Sequence, residues 1–198
     1  MSGKPSKTCF VTIGATASFD RLIRAALSVD FGKALESHGY TDLRVQYGKD
    51  GDGLFDACLR HARDAGTSTL NITGFDLDMD GLGQYMKQAK GQGIKGANEG
   101  VVISHAGSGT ILDALRISVP LIVVPNAELL DNHQVDLAQA LAEQEYVVYG
   151  RLNNLAQALD DAEALRKRHK AWPPVNSGVH RQARGLKGVM DDEMGFLD

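Results

Sequence analysis

Short apolar runs alternate along the chain with longer stretches in which apolar residues recur every three or four positions. The short runs are typical of buried strands, and the longer period is typical of amphipathic helices. This alternation is the pattern of an α/β protein with an open parallel sheet. We therefore predict a Rossmann-like fold, with strands over residues 8–13, 43–47, 69–73, 101–104, 121–124 and 146–149.

Helical spacing of apolar positions predicts the elements between these strands. The first helix carries Phe19, Leu22, Ile23, Ala26 and Leu27 on one face. Further helices are predicted over residues 55–63, 82–89, 110–117 and 132–144, with a polar one reaching about residue 168. Several glycines without apolar periodicity predict a mobile loop between residue 90 and residue 99.

Periodicity fades after the Trp-Pro-Pro sequence at 172–174, which divides the chain in two. Residues 1–170 are predicted to form one domain. Residues 171–198 are predicted to be a tail that is either disordered or ordered by a partner.

Composition and charge exclude several classes of protein. The chain has 198 residues, 43% of them hydrophobic, and a net charge of -4. No basic field exists to hold a nucleic acid backbone, so no nucleic acid partner is expected. No apolar run approaches the ~20 residues that cross a bilayer, and the N-terminus has no signal-peptide pattern. Cys9 and Cys58 lie in apolar or helical stretches, which favours reduced thiols and a reducing compartment.

Ligands of parallel α/β sheets bind beyond the carboxyl ends of the strands, where loops lead into helices. The first predicted strand ends in Gly14, Ala15 and Thr16. A glycine turn with small residues at a helix start can cradle an anion. The same turn also occurs for packing reasons alone, so by itself it is a weak signal.

The segment after the fourth predicted strand is more specific, reading SHAGSGT over residues 104–110. A histidine, two glycines and hydroxyl groups at a helix start form a candidate anion site. Asp113 follows, where its carboxylate can accept hydrogen bonds from the vicinal hydroxyls of a ribose. Each residue also has a plain structural explanation. Ser108 or Thr110 can be N-caps, Asp113 an acid favoured by the helix dipole, and His105 a satisfied buried histidine.

A third polar segment follows the fifth predicted strand and reads PNAELLDNHQ over residues 125–134. Its last four side chains are all polar and open the next helix. Capping requires only one or two such residues. The run therefore indicates contact with a hydroxyl-rich ligand, with a capping run as the alternative.

Together these segments resemble a known family. HAGSGT…DNHQ, with an acidic residue eight positions after its histidine, is similar to the nucleotide-sugar signature of GT-B glycosyltransferases. FVTIGAT at 10–16, GFD at 74–76 and NAELLDNHQ at 126–134 resemble the catalytic subunit of the eukaryotic dolichol-linked UDP-N-acetylglucosamine transferase. That subunit corresponds to the C-terminal, donor-binding half of a GT-B enzyme, and the bacterial muramyl-pentapeptide N-acetylglucosaminyltransferase is its single-chain relative. The resemblance spans about residues 8–150, and the glycine-rich segment 76–99 departs from the family pattern.

The resemblance implies roles by motif position. Asp113 would bind the ribose and Phe75 the uracil. The residues that would bind the donor diphosphate are Gly14, Ala15, Thr16, His105, Gly107, Ser108, Gly109 and Thr110. The residues that would bind the sugar are Asn132, His133 and Gln134.

The implied activity is transfer of N-acetylglucosamine (GlcNAc) from UDP-GlcNAc to GlcNAc-diphospho-dolichol, the second step of lipid-linked oligosaccharide synthesis for N-glycosylation. GT-B enzymes stabilise the departing UDP with protein dipoles, so we expect no metal and no cofactor. A membrane-anchored partner subunit would supply the acceptor site and the general base, leaving the catalytic residues unknown. The chain would then be cytoplasmic and recruited to the cytosolic face of the endoplasmic reticulum, with the segment beyond residue 153 forming part of the docking surface.

Two other functions compete with this interpretation. One is a nucleotide-sugar-binding or regulatory module without catalysis. The other is a dinucleotide-dependent oxidoreductase, which is disfavoured because the first turn reads GATAS rather than G-x-G-x-x-G.

Overall fold

The computed structural model describes residues 5–15, 17–65, 69–126 and 133–171. Its centre is one sheet of six parallel strands in the order β3-β2-β1-β4-β5-β6, a doubly wound Rossmann topology. The predicted fold class is therefore confirmed. The strands are β1 (Lys7–Thr12), β2 (Asp42–Gln46), β3 (Asn71–Phe75), β4 (Asn98–Ser104), β5 (Leu121–Val123) and β6 (Val148–Tyr149).

Seven helices connect or follow these strands within the described ranges. They are α1 (Asp20–Ala26), α2 (Val29–Ser37), α3 (Asp52–Asp64), α4 (Gly83–Ala89), α5 (Ser108–Ile117), α6 (His133–Glu143) and α7 (Leu155–Ala171). None of them, over the described residues, has the length and hydropathy that a membrane span requires. The predicted tail lies outside the described residues except for Ala171, which ends α7.

Periodicity missed α2, the second helix between β1 and β2. Ser28 stops α1 and starts α2, because its hydroxyl donates to the Ala25 carbonyl (2.8 Å) and accepts from the Phe31 amide (3.3 Å). A serine that caps the following helix in this way is a common helix start. The buried residues of α2 are Phe31 and Leu35, two positions that periodicity alone did not resolve as a helix.

The boundaries of β3 and β4 also differ from the prediction. β3 runs two residues further, through Gly74, because the glycine makes room for a neighbouring ring: a Cβ there would lie 2.6 Å from the Phe55 side chain. β4 begins at Asn98 rather than at residue 101, so the end of the predicted loop 90–99 is strand. The preceding turns are held by backbone bonds such as Gln92 N–H to the Lys87 carbonyl (2.9 Å). Mobility of that segment stays a prediction.

The sheet buries a separate apolar layer on each face. α1, α2, α3 and α7 cover one face, and α4, α5 and α6 cover the other. Alternation along β1 serves both layers, since Val11 packs on the first face and Phe10 on the second. Cys9 is buried in the first layer and Cys58 is half-buried, and both are free thiols.

A buried charge network fastens α7 to the start of β1. The Lys7 ammonium donates to Glu163 (2.8 Å), whose carboxylate also accepts from the Tyr40 hydroxyl (2.9 Å) and from Arg166. Burial alone would raise the pKa of Glu163, but the bonds from Lys7 and Tyr40 and the nearby cations lower it overall. Burial lowers the pKa of Lys7, against its bond to Glu163. The network fixes the amino edge of the sheet, meaning the end where the strands begin. The carboxyl edge, where the strands end, holds the candidate site.

Candidate functional site

The candidate site lies where the strand order reverses. β1 and β4 are neighbours in the sheet, but α1 packs on one face and α5 on the other. The loops that leave the two carboxyl ends therefore diverge and leave a crevice between them, the usual ligand position in doubly wound folds.

His105 lies in this crevice, between two glycines. Its backbone N–H donates to the Thr12 carbonyl of β1 at 3.3 Å. A Cβ added at Gly14 would lie 2.4 Å from the imidazole Cε1, and one added at Gly107 would lie 2.2 Å from Nε2. Gly14 also has a φ of +81°, which favours glycine. At both glycines the backbone therefore lies directly against the imidazole, and a side chain at either position would displace the ring.

The imidazole is neutral and incompletely hydrogen-bonded. Burial lowers the pKa of His105 below its ordinary value. Its Nδ1 is buried and has no hydrogen-bond partner among the described residues. Unpartnered buried polar atoms are rare in folded proteins. No described residue satisfies this nitrogen as a core histidine requires, and the open nitrogen is suited to a polar ligand.

The start of α5 also leaves polar groups open. Gly107, not Ser108 or Thr110, occupies the N-cap position, and no side chain of the described residues caps this turn. The two hydroxyl residues are therefore not N-caps, and the first amides of the helix keep their positive end free. A Cβ at Gly109 would meet no atom within 4 Å. Packing does not require glycine there, whereas close approach of an anion to the backbone would.

Asp113 and Phe75 have other neighbours in the structure. Asp113 lies in the second turn of α5, so it is not a first-turn acid, and its exposed carboxylate pairs with Arg116 at 3.2 Å. Phe75 ends β3 and stacks on Tyr85, with ring centroids 4.3 Å apart, and on Phe10 at 6.2 Å. Contacts of Asp113 with a ribose and of Phe75 with a uracil stay predictions.

The loop after β5 ties the start of α6 to the same edge. Gln134 accepts a hydrogen bond from the Asn126 amide at 3.2 Å, and Asn126 is buried. The Gln134 side chain is thus held beside the carboxyl end of β5. Thr16 and Asn132 lie outside the described residues, and of His133 only its place as the first residue of α6 is described.

Sequence reasoning missed Gln46, the last residue of β2, which is buried at the centre of this edge. Its amide bonds to the backbone after β1 and after β3. The available signal was a glutamine between Val45 and Tyr47, two residues before the glycine that closes the strand.

Across the described ranges, no group of three or more His, Cys, Asp or Glu residues is placed to share a metal ion. The polar groups that converge on the crevice are instead backbone amides, one imidazole and one amide side chain. Such a set is suited to a phosphate-containing ligand.

Comparisons with known proteins identify the family of this chain. Residues 8–176 match the model of the glycosyltransferase family 28 C-terminal domain. A UDP-N-acetylglucosamine transferase subunit ALG13 from Yarrowia lipolytica is 36% identical over 138 residues, which cover 70% of this chain and 62% of that relative. The subunit of the same name from Saccharomyces cerevisiae is 34% identical over 157 residues, covering 71% of this chain and 76% of the relative.

Two solved structures are similar in fold. An NMR solution structure of ALG13 superposes with a TM-score of 0.60 at 27% identity, covering 86% of this chain and 90% of that one. A crystal structure of MurG from Acinetobacter baumannii gives a TM-score of 0.53 at 18% identity, covering 85% of this chain but 47% of MurG. The fold is therefore that of one half of a GT-B glycosyltransferase. On the family match and these identities, the chain belongs to glycosyltransferase family 28 and forms its C-terminal, Rossmann-like domain.

Proposed function

We propose that this chain is the donor-binding subunit of an N-acetylglucosaminyltransferase. It takes GlcNAc from UDP-GlcNAc and transfers it to GlcNAc-diphospho-dolichol, the second step of lipid-linked oligosaccharide synthesis. The names of the relatives, each a UDP-N-acetylglucosamine transferase subunit, support the donor. The acceptor rests on the sequence resemblance.

One observation carries the proposal: an uncapped helix start beside an imidazole that is held between two glycines. Transfer of a sugar from a nucleoside diphosphate leaves negative charge on the departing phosphate. Fixed amide dipoles and hydrogen-bond donors aimed at that charge lower the barrier without a reorganisation cost. The start of α5 and His105 provide such groups.

In the proposed mechanism this chain holds the donor and stabilises the leaving group. The α5 amides at 108–110 and His105 bind the diphosphate, and Asp113 binds the ribose. Gln134, with Asn132 and His133, binds the sugar hydroxyls. The acceptor hydroxyl attacks the anomeric carbon from the opposite face while the bond to the phosphate oxygen breaks and UDP departs with the electron pair. A base on the partner takes the hydroxyl proton, since a hydroxyl nucleophile requires one.

The proposed enzyme is a heteromer. A GT-B cleft is formed by two α/β domains, and this domain matches 47% of the MurG chain. We propose that a membrane-anchored partner supplies the acceptor site, and that it recruits this cytoplasmic chain to the cytosolic face of the endoplasmic reticulum. The docking surface includes the segment beyond residue 153. The word "subunit" in the names of the relatives supports a partner.

A reconstituted transfer assay tests the proposal. Purified chain is mixed with UDP-GlcNAc and GlcNAc-diphospho-dolichol, with and without the membrane-anchored partner. We expect chitobiosyl-lipid only when both subunits are present. Donor binding without transfer in the presence of the partner would favour a non-catalytic module. Synthesis by the single chain alone would contradict the heteromer.

Titration calorimetry tests the assigned contacts. His105→Ala should weaken binding of UDP but hardly that of uridine, whereas Gln134→Ala should leave UDP binding unchanged and reduce discrimination among UDP-sugars. His61→Ala, an exposed histidine of α3, is the matched control. The motif assignment is wrong if His105→Ala loses affinity equally for UDP and uridine, and Gln134→Ala loses affinity equally for UDP and UDP-sugars.

A further inference from the structure

Gln46 has an unusual environment for a strand residue. It ends β2, which lies between β3 and β1 in the sheet, and it is 1% exposed. Its Oε1 accepts from the Thr12 hydroxyl (2.7 Å) and from the Ile13 amide (3.2 Å). Its Nε2 donates to the Gly14 carbonyl (3.1 Å) and to the Asp76 carbonyl (2.8 Å). An amide side chain has two acceptor positions and two donors, so all four are used.

The partners fix the orientation of this amide. The Ile13 N–H can only donate, so it must face Oε1. The carbonyls of Gly14 and Asp76 can only accept, so they must face Nε2. A flipped amide would place like groups against each other at three of the four contacts. The Gln46 side chain therefore has one arrangement, and a fully satisfied buried network of this kind makes its surroundings rigid.

Both carbonyls that Gln46 holds belong to loops, not to the strands β1 and β3. The Gly14 loop is the one that presses on His105, and its amide donates to the Thr12 hydroxyl at 3.2 Å. The Asp76 loop follows β3 and Phe75. One side chain thus spans from the diphosphate side of the crevice to the side where the uracil is expected.

We propose that Gln46 is a positioning residue for donor binding, which holds the loops after β1 and after β3 in the arrangement that accepts the UDP moiety. The inference rests on the proposed function, because it names the ligand of the same crevice. Gln46 does not touch the ligand. It acts through Gly14, whose backbone sets the place of His105, and through the carbonyl of Asp76.

Two variants separate its two connections. Gln46→Glu keeps both acceptor contacts of Oε1 but, when ionised, loses both donor bonds, and so releases both loops. Thr12→Val keeps the shape of the buried side chain and both donor bonds of Gln46, to the Gly14 carbonyl and to the Asp76 carbonyl. It removes only the hydroxyl that the Gly14 amide and Gln46 share.

Calorimetry at pH 8 is the test, with UDP and uridine as ligands. Gln46→Glu should lower the affinity for both ligands, and the affinity for UDP should fall at least tenfold. Thr12→Val should weaken UDP binding by a smaller factor, because the bond from Gln46 to the Gly14 carbonyl remains, and should leave uridine binding within twofold. Gln92→Glu, the same change at an exposed position after α4, should leave both affinities unchanged.

A pH profile distinguishes positioning from a general loss of stability. Protonation of the Gln46→Glu carboxyl restores one O–H donor toward the loop carbonyls, so its UDP deficit relative to the wild type should shrink as the pH falls from 8 to 5.5. A deficit that is independent of pH would contradict the proposal. So would an unfolding midpoint lowered in urea without a change in UDP affinity.

The outcomes also separate this inference from the proposed function. If the wild-type chain does not bind UDP, the proposed function is wrong and the inference falls with it. If the wild type binds UDP and Gln46→Glu binds it within twofold, the inference alone is overturned. Should Gln46→Glu not fold, the same decision rests on Thr12→Val, for which an unchanged UDP affinity overturns positioning of the Gly14 loop through the hydroxyl that Gln46 and the Gly14 amide share.

Discussion

The two edges of the sheet use polar residues in opposite ways. At the amino edge, Lys7 and Glu163 are buried and paired at 2.8 Å, and Glu99 pairs with Lys90 at 2.5 Å. At the carboxyl edge, apart from the internally satisfied Gln46, the crevice is lined by glycine backbone, an uncapped helix start and a neutral imidazole with an unpartnered nitrogen. At the amino edge the charges are paired within the chain, although the buried Arg166 Nε has no hydrogen-bond partner among the described residues. At the carboxyl edge it is uncharged hydrogen-bonding groups that are left open.

The difference indicates where stability and function reside. Buried charges that lose a partner are costly, so the amino edge should control the free energy of unfolding. Groups left open cost stability unless a ligand satisfies them, so the carboxyl edge should control binding. Substitutions at the two edges should therefore change different measured quantities, and each prediction below tests that separation.

The largest expected effect is on the amino edge. Glu163→Gln leaves the Lys7 ammonium buried without its counter-charge, and should lower the free energy of unfolding by about 3–5 kcal/mol. Affinity for UDP, measured on the folded fraction at low temperature, should stay the same. Urea unfolding and calorimetry provide the two numbers.

A matched control lies on the same helix. Asp160 pairs with His38 at 2.6 Å, but its carboxylate is 55% exposed. Asp160→Asn should cost at most about 1 kcal/mol, the usual range for surface pairs. If Glu163→Gln costs no more than this control, the amino edge does not control stability as argued.

The next effect is on binding alone. Asp113→Ala should weaken UDP and UDP-GlcNAc alike by about 1–3 kcal/mol, the range for hydrogen bonds to charged groups. Stability should change by less than about 0.5 kcal/mol, because Asp113 and Arg116 are both exposed. Arg116→Ala removes the other member of the pair and should not lower the affinity for UDP. Unchanged UDP affinity in Asp113→Ala would reduce Asp113 to a surface acid of α5.

A glycine pair tests whether the start of α5 approaches the ligand. Gly109→Ala meets no atom of the protein, and alanine is a better helix former, so stability should rise by about 0.5–1 kcal/mol. UDP affinity should nevertheless fall at least tenfold, about 1.4 kcal/mol, because the new methyl group occupies the anion's path.

Gly53→Ala in the first turn of α3 is the control for Gly109→Ala, since a Cβ there also meets nothing within 4 Å. Gly53→Ala should give the same gain in stability and no loss of UDP affinity. Retained UDP affinity in Gly109→Ala would move the diphosphate away from this helix.

Much of the fold and part of the site could be predicted from the sequence. Strand-sized apolar runs placed all six strands, because buried parallel strands carry a strong apolar signal. The prediction was less accurate where single residues decide an element: it missed α2, which Ser28 caps, and it ended β3 before Gly74, which makes room for Phe55.

The site shows the same division. The sequence placed His105, Gly107 and Gly14 at the carboxyl ends of two predicted strands, and the structure shows that these strands are neighbours and brings the residues into contact. It did not identify Gln46, because its four bonds join segments about 30 residues apart and no local spacing encodes them. Nor did it show that Gly107 replaces the hydroxyl residues as N-cap, which depends on backbone angles.

The smallest expected effect is a pH dependence that arises from His105. Burial lowers the pKa of His105 in the folded chain, whereas the unfolded imidazole titrates near its ordinary value of about 6.5. Stability from this group is therefore complete above that value. It falls as the pH drops, because the unfolded chain then binds a proton that the folded chain does not, with a slope of at most about 1.4 kcal/mol per pH unit.

Urea unfolding at pH 7.5 and 5.5 should show a smaller loss of stability for His105→Gln than for the wild type. Saturating UDP should also reduce the wild-type loss, since a phosphate beside the imidazole favours its charged form. Equal losses in both proteins, with and without UDP, would contradict a neutral His105 at the diphosphate site.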